Sequence, residues 1–211
     1  MRKCTVLSTY SVNNMKTIVV YKSKYGTAEQ YAKWIAEELG CDIREMGEIR
    51  AADLEPYEGI IFGGGVHAGG IEGFDTFRKW LKPVLSDAYF ASFDESVNFR
   101  QDWYKPSKKI IIFAVGINVQ NFDARAELRN VNFDKKWLRP VTCYFLDGKY
   151  EPERVQGADK LVMKFTTKLL NDKGLNMNAD ERQLLDRINN GCDLVDRSQI
   201  EPILKEFRES E

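Results

Sequence analysis

Apolar positions along the chain alternate between two patterns. Short continuous runs have the length and β-branching of strands buried on both faces: Ile18-Val19-Val20-Tyr21, Gly59-Ile60-Ile61-Phe62-Gly63, Lys109-Ile110-Ile111-Ile112-Phe113-Ala114-Val115 and Val141-Thr142-Cys143-Tyr144-Phe145-Leu146. Between them the apolar spacing lengthens to helical steps. Ala28, Tyr31, Ala32, Ile35, Ala36 and Leu39 share one helix face, with Gly40 as its C-cap. Phe74, Phe77, Leu81, Val84 and Leu85 mark a second helix, expected to end between Pro83 and Ser86. Asp42–Met46 reads as a short edge strand. Strands alternating with amphipathic helices predict an α/β fold, a doubly wound parallel sheet with helices on both faces.

The rest of the chain is less regular. Residues 122–136 are charged and read as helical, and Leu161, Val162, Phe165 and Leu169 give a further helix. After a polar link, Ser198-Gln199-Ile200-Glu201 has capping-box spacing and opens a helix with Ile200, Ile203, Leu204 and Phe207 inward. Residues 87–109 hold Tyr89, Phe90, Phe93, Phe99, Trp103 and Tyr104 without a period. They read either as an insertion near a site or as a cover for the core. Residues 1–14 are polar and precede a second methionine, Met15; they read as a disordered extension or a product of start-site choice. The expected organisation is one domain over 15–211, with insertions near 87–109 and 121–140 and a helical C-terminal tail.

Candidate chemistry begins in the turn after the first run, Ser23-Lys24-Tyr25-Gly26-Thr27-Ala28. Thr27 followed by Gln30 has capping-box spacing, which puts the helix start on the turn. Hydroxyls, backbone N–H groups and the positive end of the helix dipole converge there, as in a phosphate-binding loop. The plainer alternative is an ordinary capped βα turn. No Gly-x-x-x-x-Gly-Lys-Ser/Thr run occurs, which excludes a nucleoside-triphosphate P-loop. The turn also lacks Gly-x-Gly-x-x-Gly, which argues against a dinucleotide. One terminal phosphate remains.

A second informative stretch, Gly63-Gly64-Gly65-Val66-His67-Ala68-Gly69-Gly70, follows a central strand. Such glycine density implies unusual φ angles or a backbone lying against something flat. Ligands of doubly wound sheets collect at that end of the strands. A tight βα connection is the competing reading. Gly116-Ile117-Asn118-Val119-Gln120-Asn121 follows the next central strand. His67, the single histidine, is either a ligand contact or a loop residue at the surface.

The 211 residues, 43% of them apolar, suffice for one sizeable core. A net charge of -1 argues against nucleic acid as a partner and against docking by charge on a basic protein. Cys4, Cys41, Cys143 and Cys192 are too scattered for a metal cluster, so no metal is expected. They read as free thiols in a reducing compartment, Cys143 as a packing residue. No apolar h-region follows Arg2 and Lys3, and no run reaches the length of a membrane span. A cytoplasmic protein without an integral membrane segment is expected.

Ser23, Gly26 and Thr27 resemble the first loop of the flavodoxin family, Ser/Thr-x-x-Gly-x-Thr, with Ala28 where a second threonine is usual. The resemblance covers most of the chain from Met15 onward and implies a five-stranded parallel sheet in the order 2-1-3-4-5. It also implies FMN as cofactor, its phosphate held by Ser23, Lys24, Tyr25, Gly26, Thr27 and Ala28. Gly64, Gly65, Val66, His67, Ala68 and Gly69 would flank one side of the flavin ring, and Gly116, Ile117 and Asn118 the other. No catalytic side chain is assigned, since the flavin carries the electron transfer or redox chemistry. Phe99, Trp103 and Tyr104 could stack on a planar group, though a core role is the simpler one.

Within the superfamily, Trp137-Leu138-Arg139-Pro140, Leu146-Asp147-Gly148-Lys149-Tyr150 and the helical tail are most similar to the group of bacterial menaquinone-dependent protoporphyrinogen IX dehydrogenases. There FMN takes electrons from a porphyrinogen and passes them to a quinone. The partners implied are a redox protein, a quinone or a small planar substrate. A fold of this type without FMN, acting in regulation or protein interaction, is the alternative, and Ala28 alone speaks for it.

Overall fold

The computed structural model describes residues 15–89, 108–133 and 141–208, with the backbone alone over 82–89. Residues 1–14, Phe99, Trp103, Tyr104 and 137–140, on which several expectations fell, lie outside the described residues. The main sheet holds β1 (Thr17–Lys22), β2 (Asp42–Glu45), β3 (Gly59–His67), β4 (Gly70–Ile71), β5 (Lys109–Gly116) and β6 (Thr142–Asp147). Its order is β2-β1-β3-β5-β6, all parallel, with β4 turned back antiparallel on β3. Leaving β4 aside, this is the expected order 2-1-3-4-5.

Parallel strands with apolar residues throughout need cover on both faces. On one face α1 (Thr27–Leu39) supplies Tyr31 and Ile35 against Val19, Ile61, Ile111 and Phe113. On the other, α2 (Phe74–Tyr89) sets Phe74, Phe77 and Leu81 against Val20, Phe62, Ile112 and Cys143. Phe62 and Phe77 stack with their ring centroids 4.3 Å apart. Burial pushes the Cys143 thiol up to about 12, so it packs as an inert side chain. α2 passes through Pro83 to Tyr89 instead of ending there, so loss of a single amide hydrogen does not stop it. Residues 122–132, expected within an insertion, form α3 (Phe122–Asn132), the helix joining β5 to β6.

Beyond β6 come β7 (Lys149–Tyr150), α4 (Gly157–Lys173), α5 (Ala179–Asn190), β8 (Cys192–Asp193) and α6 (Glu201–Arg208). α5 went unforeseen in the polar link; its start is a capping box between Asn178 and Glu181. At the last helix the capping residue is Asp196, which accepts from the Ser198 N–H, and not Ser198 itself. A 3₁₀ turn over Arg197–Ile200 precedes α6, and Ile200, Ile203, Leu204 and Phe207 do point inward. The fully buried Tyr31 ties this tail down. Its hydroxyl donates to the Asp147 carbonyl at 2.8 Å and accepts from the Asp196 N–H at 3.1 Å.

β3 extends to His67 and does not break at Gly63. A Cβ at Gly63 would lie 1.8 Å from Cζ of Phe113, and one at Gly64 would lie 2.5 Å from the Glu72 carbonyl oxygen. Those two glycines admit a phenyl ring and the β4 strand. Ala68 and Gly69 then take φ of 49° and 80°, the positive pair that a tight two-residue hairpin turn requires. The alanine at Gly63 has nowhere to go, because the Phe113 ring is buried on all sides. Gly63→Ala should therefore cost ~1–3 kcal/mol, read as a lower urea midpoint at unchanged slope.

Candidate functional site

The carboxyl ends of β1, β3 and β5 open onto one cleft. Its empty space is about 650 Å³ when counted out through the solvent-open mouth. The turn after β1 contributes Ser23, Lys24, Tyr25, Thr27 and Ala28, and the β3–β4 hairpin contributes Gly65, Val66, His67 and Ala68. Gly116 and Ile117 line it after β5. Sequence reasoning missed Gly148 and Tyr150 beyond β6 and Asp159, Val162 and Met163 of α4 as lining residues. Gly26, Gly64, Gly69 and Asn118, also expected at a ligand, are not among the lining residues: Gly26 shapes the turn, Gly64 packs on β4, Gly69 makes the hairpin, and the Asn118 carbonyl accepts from the Asn121 N–H.

The first wall is built by a glycine and a serine. Gly26 is the N-cap of α1, at a left-handed φ of 90°, and its N–H donates to Ser23 Oγ at 3.1 Å. Thr27 is thus the first helical residue and not the cap that its spacing with Gln30 predicted. The serine closes the turn from upstream and the glycine steers the chain into the helix. No side chain caps α1, so its first amides keep their capacity for an outside acceptor. Ala28 subtracts a hydroxyl from this turn but no backbone donor.

The second wall is held from beneath by a buried amide. Asn132 at the end of α3 accepts from the Ile71 N–H at 2.9 Å and donates to the carbonyls of Gly69 at 2.9 Å and Leu128 at 2.8 Å. The hairpin carrying His67 is therefore fixed to α3. On the third wall the Gly148 N–H donates to the Gly116 carbonyl at 3.0 Å, and Arg187 of α5 donates to the Ile117 carbonyl.

Charge gathers over the first wall. Asp159, in the first turn of α4, accepts from Lys24 Nζ at 2.5 Å and from the Tyr25 hydroxyl at 2.7 Å. Its other oxygen lies 3.5 Å from His67 Nδ1, while His67 Nε2 lies 3.5 Å from Glu72 Oε2. Glu72 also accepts from the Lys24 N–H at 3.1 Å. Burial works to raise the Asp159 carboxyl, but the Lys24 and Tyr25 hydrogen bonds and the His67 charge outweigh it and hold the group below its ordinary range. Contact with His67 holds Glu72 low, against burial and with help from Lys22. Partial burial and then Asp159 push the Tyr25 phenol up. Nothing in the sequence ties Asp159 to Lys24, which stands 135 positions away. Among the described residues no group of His, Cys, Asp and Glu is arranged to hold a metal ion, and no helix is long and apolar enough to cross a membrane.

Three glycine-bearing crossings meet at the carboxyl ends of a doubly wound sheet, one at an uncapped helix start, where ligands of such sheets collect. The flavodoxin-domain family profile matches residues 18–175, well over half of the chain, and the chain belongs to that family. No curated protein matches it. Among solved structures, a flavodoxin from the domain Archaea is 17% identical, over 83% of this chain and 97% of that one, with a TM-score of 0.35. A flavoprotein in complex with FMN from Lactobacillus acidophilus NCFM is 15% identical, over 63% of this chain and 92% of its own, with a TM-score of 0.36. The rubredoxin oxygen:oxidoreductase of Desulfovibrio gigas is 14% identical with a TM-score of 0.39; the match covers 92% of this chain and 37% of that one.

The lowered carboxyls make the cleft sensitive to acid. Both groups titrate lower in the folded chain than the ~4 of an unfolded one, so the folded state holds the deprotonated form more tightly. Their stabilisation is whole above that value and is lost as pH falls through the lowered folded values. Urea midpoints should therefore fall as the medium is acidified through ~4, and less steeply in Asp159→Asn. An equal slope in the variant would remove Asp159 from the account.

Proposed function

We propose that the cleft binds FMN and that the chain is a flavoprotein that transfers electrons. The uncapped start of α1 carries this reading: a left-handed Gly26, hydroxyls of Ser23 and Thr27 beside it, and first-turn amides without a side-chain acceptor. Such a terminus takes a phosphate monoester with no metal ion. Lys24 stands at the rim as a further cation. Gly65, Val66, His67 and Ala68 on one crossing, with Gly116 and Ile117 on the other, would hold the ring. Val162 and Met163 of α4 add an apolar wall.

When bound, the flavin supplies one- and two-electron transfer. The chain's own part is positioning and proton handling. His67, between Glu72 and Asp159, can hold a proton at either ring nitrogen beside the cleft. Asp159 meanwhile occupies donors of the phosphate loop with a carboxylate, the same sign of charge that a phosphate brings. The partners that fit are a redox protein, a quinone or a small planar substrate. Free thiols at Cys41, Cys143 and Cys192 suit a reducing, cytoplasmic setting. A porphyrinogen-oxidising activity is the narrower reading, favoured by Gly148, Lys149 and Tyr150 lining the cleft within the stretch that resembles that group. Anaerobic reduction of the FMN-loaded protein by a porphyrinogen would support it, and inertness would remove it.

Two measurements test the cofactor. The purified protein incubated with FMN should show flavin absorbance after gel filtration. Ser23→Ala combined with Thr27→Ala should weaken FMN by ~1–3 kcal/mol per bond lost while leaving riboflavin, which has no phosphate, unaffected. Equal losses for both ligands would mean that the variants damage the fold and not a phosphate site. Asp159→Asn should bind FMN several-fold more tightly in calorimetric titration, since Lys24 and Tyr25 lose a competing carboxylate; weaker binding would make Asp159 part of the cradle.

A further inference from the structure

α4 presents two faces of opposite character. Its inner side places Val162 and Met163 at the cleft and buries Leu170. Its outer side carries Leu161, Phe165 and Leu169, one turn apart, at exposures of 68%, 63% and 49%. The 3₁₀ turn beyond the helix adds Leu175, fully exposed at 100%. Phe122, 82% exposed, lies at the start of α3, where Asn121 Nδ2 donates to Asp180 Oδ2 of α5 at 2.8 Å. Water is a poor solvent for such a row, and contiguous apolar surface of this kind marks a contact site.

A second row runs alongside the first. Lys160, Lys164 and Lys168 are also one turn apart and exposed, and the row ends at Asp172. Among the described residues none of these lysines has a carboxylate within ion-pair distance. Other lysines near the cleft and in this tail do: Lys24 pairs with Asp159, Lys149 with Glu151, and Lys173 with Glu181. Unpaired cations beside exposed leucine and phenylalanine are the arrangement of a helix that lies in a lipid–water interface.

We propose that the outer face of α4 docks this protein on an anionic lipid bilayer. The charge of the row selects the occupant: three unpaired ammonium groups favour a surface rich in negative headgroups, to which long lysine stems reach while apolar neighbours enter the acyl boundary. Shape selects it again. The apolar side chains stand out from a convex helix, and a protein partner would need a matching hollow where a bilayer yields to any contour. Two copies meeting through α4 would bring six ammonium groups together against only the two Asp172 carboxylates at the ends of the rows. The proposal stands whether or not the cleft holds a flavin.

The test is flotation of the full chain with vesicles of phosphatidylcholine, with and without phosphatidylglycerol. The protein should float with the anionic vesicles alone, and added salt should release it. Each of Lys160→Gln, Lys164→Gln and Lys168→Gln should lower the partition about fivefold. Leu161→Ser with Phe165→Ser should abolish flotation, with an unchanged circular dichroism spectrum, because both side chains project into solvent. Equal partition into neutral vesicles, or an unchanged partition of the lysine variants, would overturn the proposal. So would absence of flotation together with a dimer in sedimentation that Phe165→Ser dissolves, which would make a second copy the occupant.

Discussion

The structure depends on one phenol. Tyr31 sits on the inward face of α1 with no exposure to solvent, and its hydroxyl bridges the end of β6 to the start of the last helical segment. A buried hydroxyl without partners costs on the order of 1–3 kcal/mol, so its place is set by the two backbone groups that it satisfies. Those groups belong to segments far apart in sequence. By joining them, Tyr31 ties α1, which starts at the turn after β1, to the turn after β6, and both turns line the cleft. Tail and cleft are in this sense one construction: Gln199, just past the bridged amide, also accepts from the Asp147 N–H at 2.7 Å.

Much of this was legible in the sequence, for a definite reason. Strands buried on both faces must be apolar at every position, so Ile18–Tyr21, Ile60–Phe62 and Ile110–Val115 announced themselves without an alignment. The helix at Phe74 was equally plain, because one stripe meets the core. Local signals did less well where a distant partner decides. Thr27 and Ser198 both have capping spacing, yet Gly26 and Asp196 hold the cap positions: Gly26 at a left-handed φ with its own N–H on Ser23 Oγ, and Asp196 with its carboxylate accepting from the Ser198 N–H. The run Gly63-Gly64-Gly65 showed that something approaches the backbone but not what: at Gly63 it is Phe113, and at Gly64 the returning hairpin.

The electrostatic part of the site was the least legible. His67, Glu72, Lys24, Tyr25 and Asp159 come from three separate elements, and the contacts of Asp159 with Lys24, Tyr25 and His67 and of Glu72 with Lys24 span many tens of residues, while His67 and Glu72 are near neighbours in sequence. α4, written in the sequence as an ordinary amphipathic helix, turned out to have its apolar row pointing outward. Periodicity reports that a stripe exists; it cannot report which way the stripe faces. That depends on Leu170 and the cleft residues Val162 and Met163 being the side that packs.

The attachment of the hairpin to α3 limits how the chain can vary. Asn132 meets three partners through one short side chain, and it is the last residue of a helix whose first turn is set by the Asn121 cap. Adding or removing one residue between these asparagines would swing the amide by about 100° around the helix axis, leaving the buried Ile71 N–H without its acceptor and the Gly69 carbonyl without its donor. The helix itself behaves as a ruler of set length, and one wall of the cleft is cut to its measure.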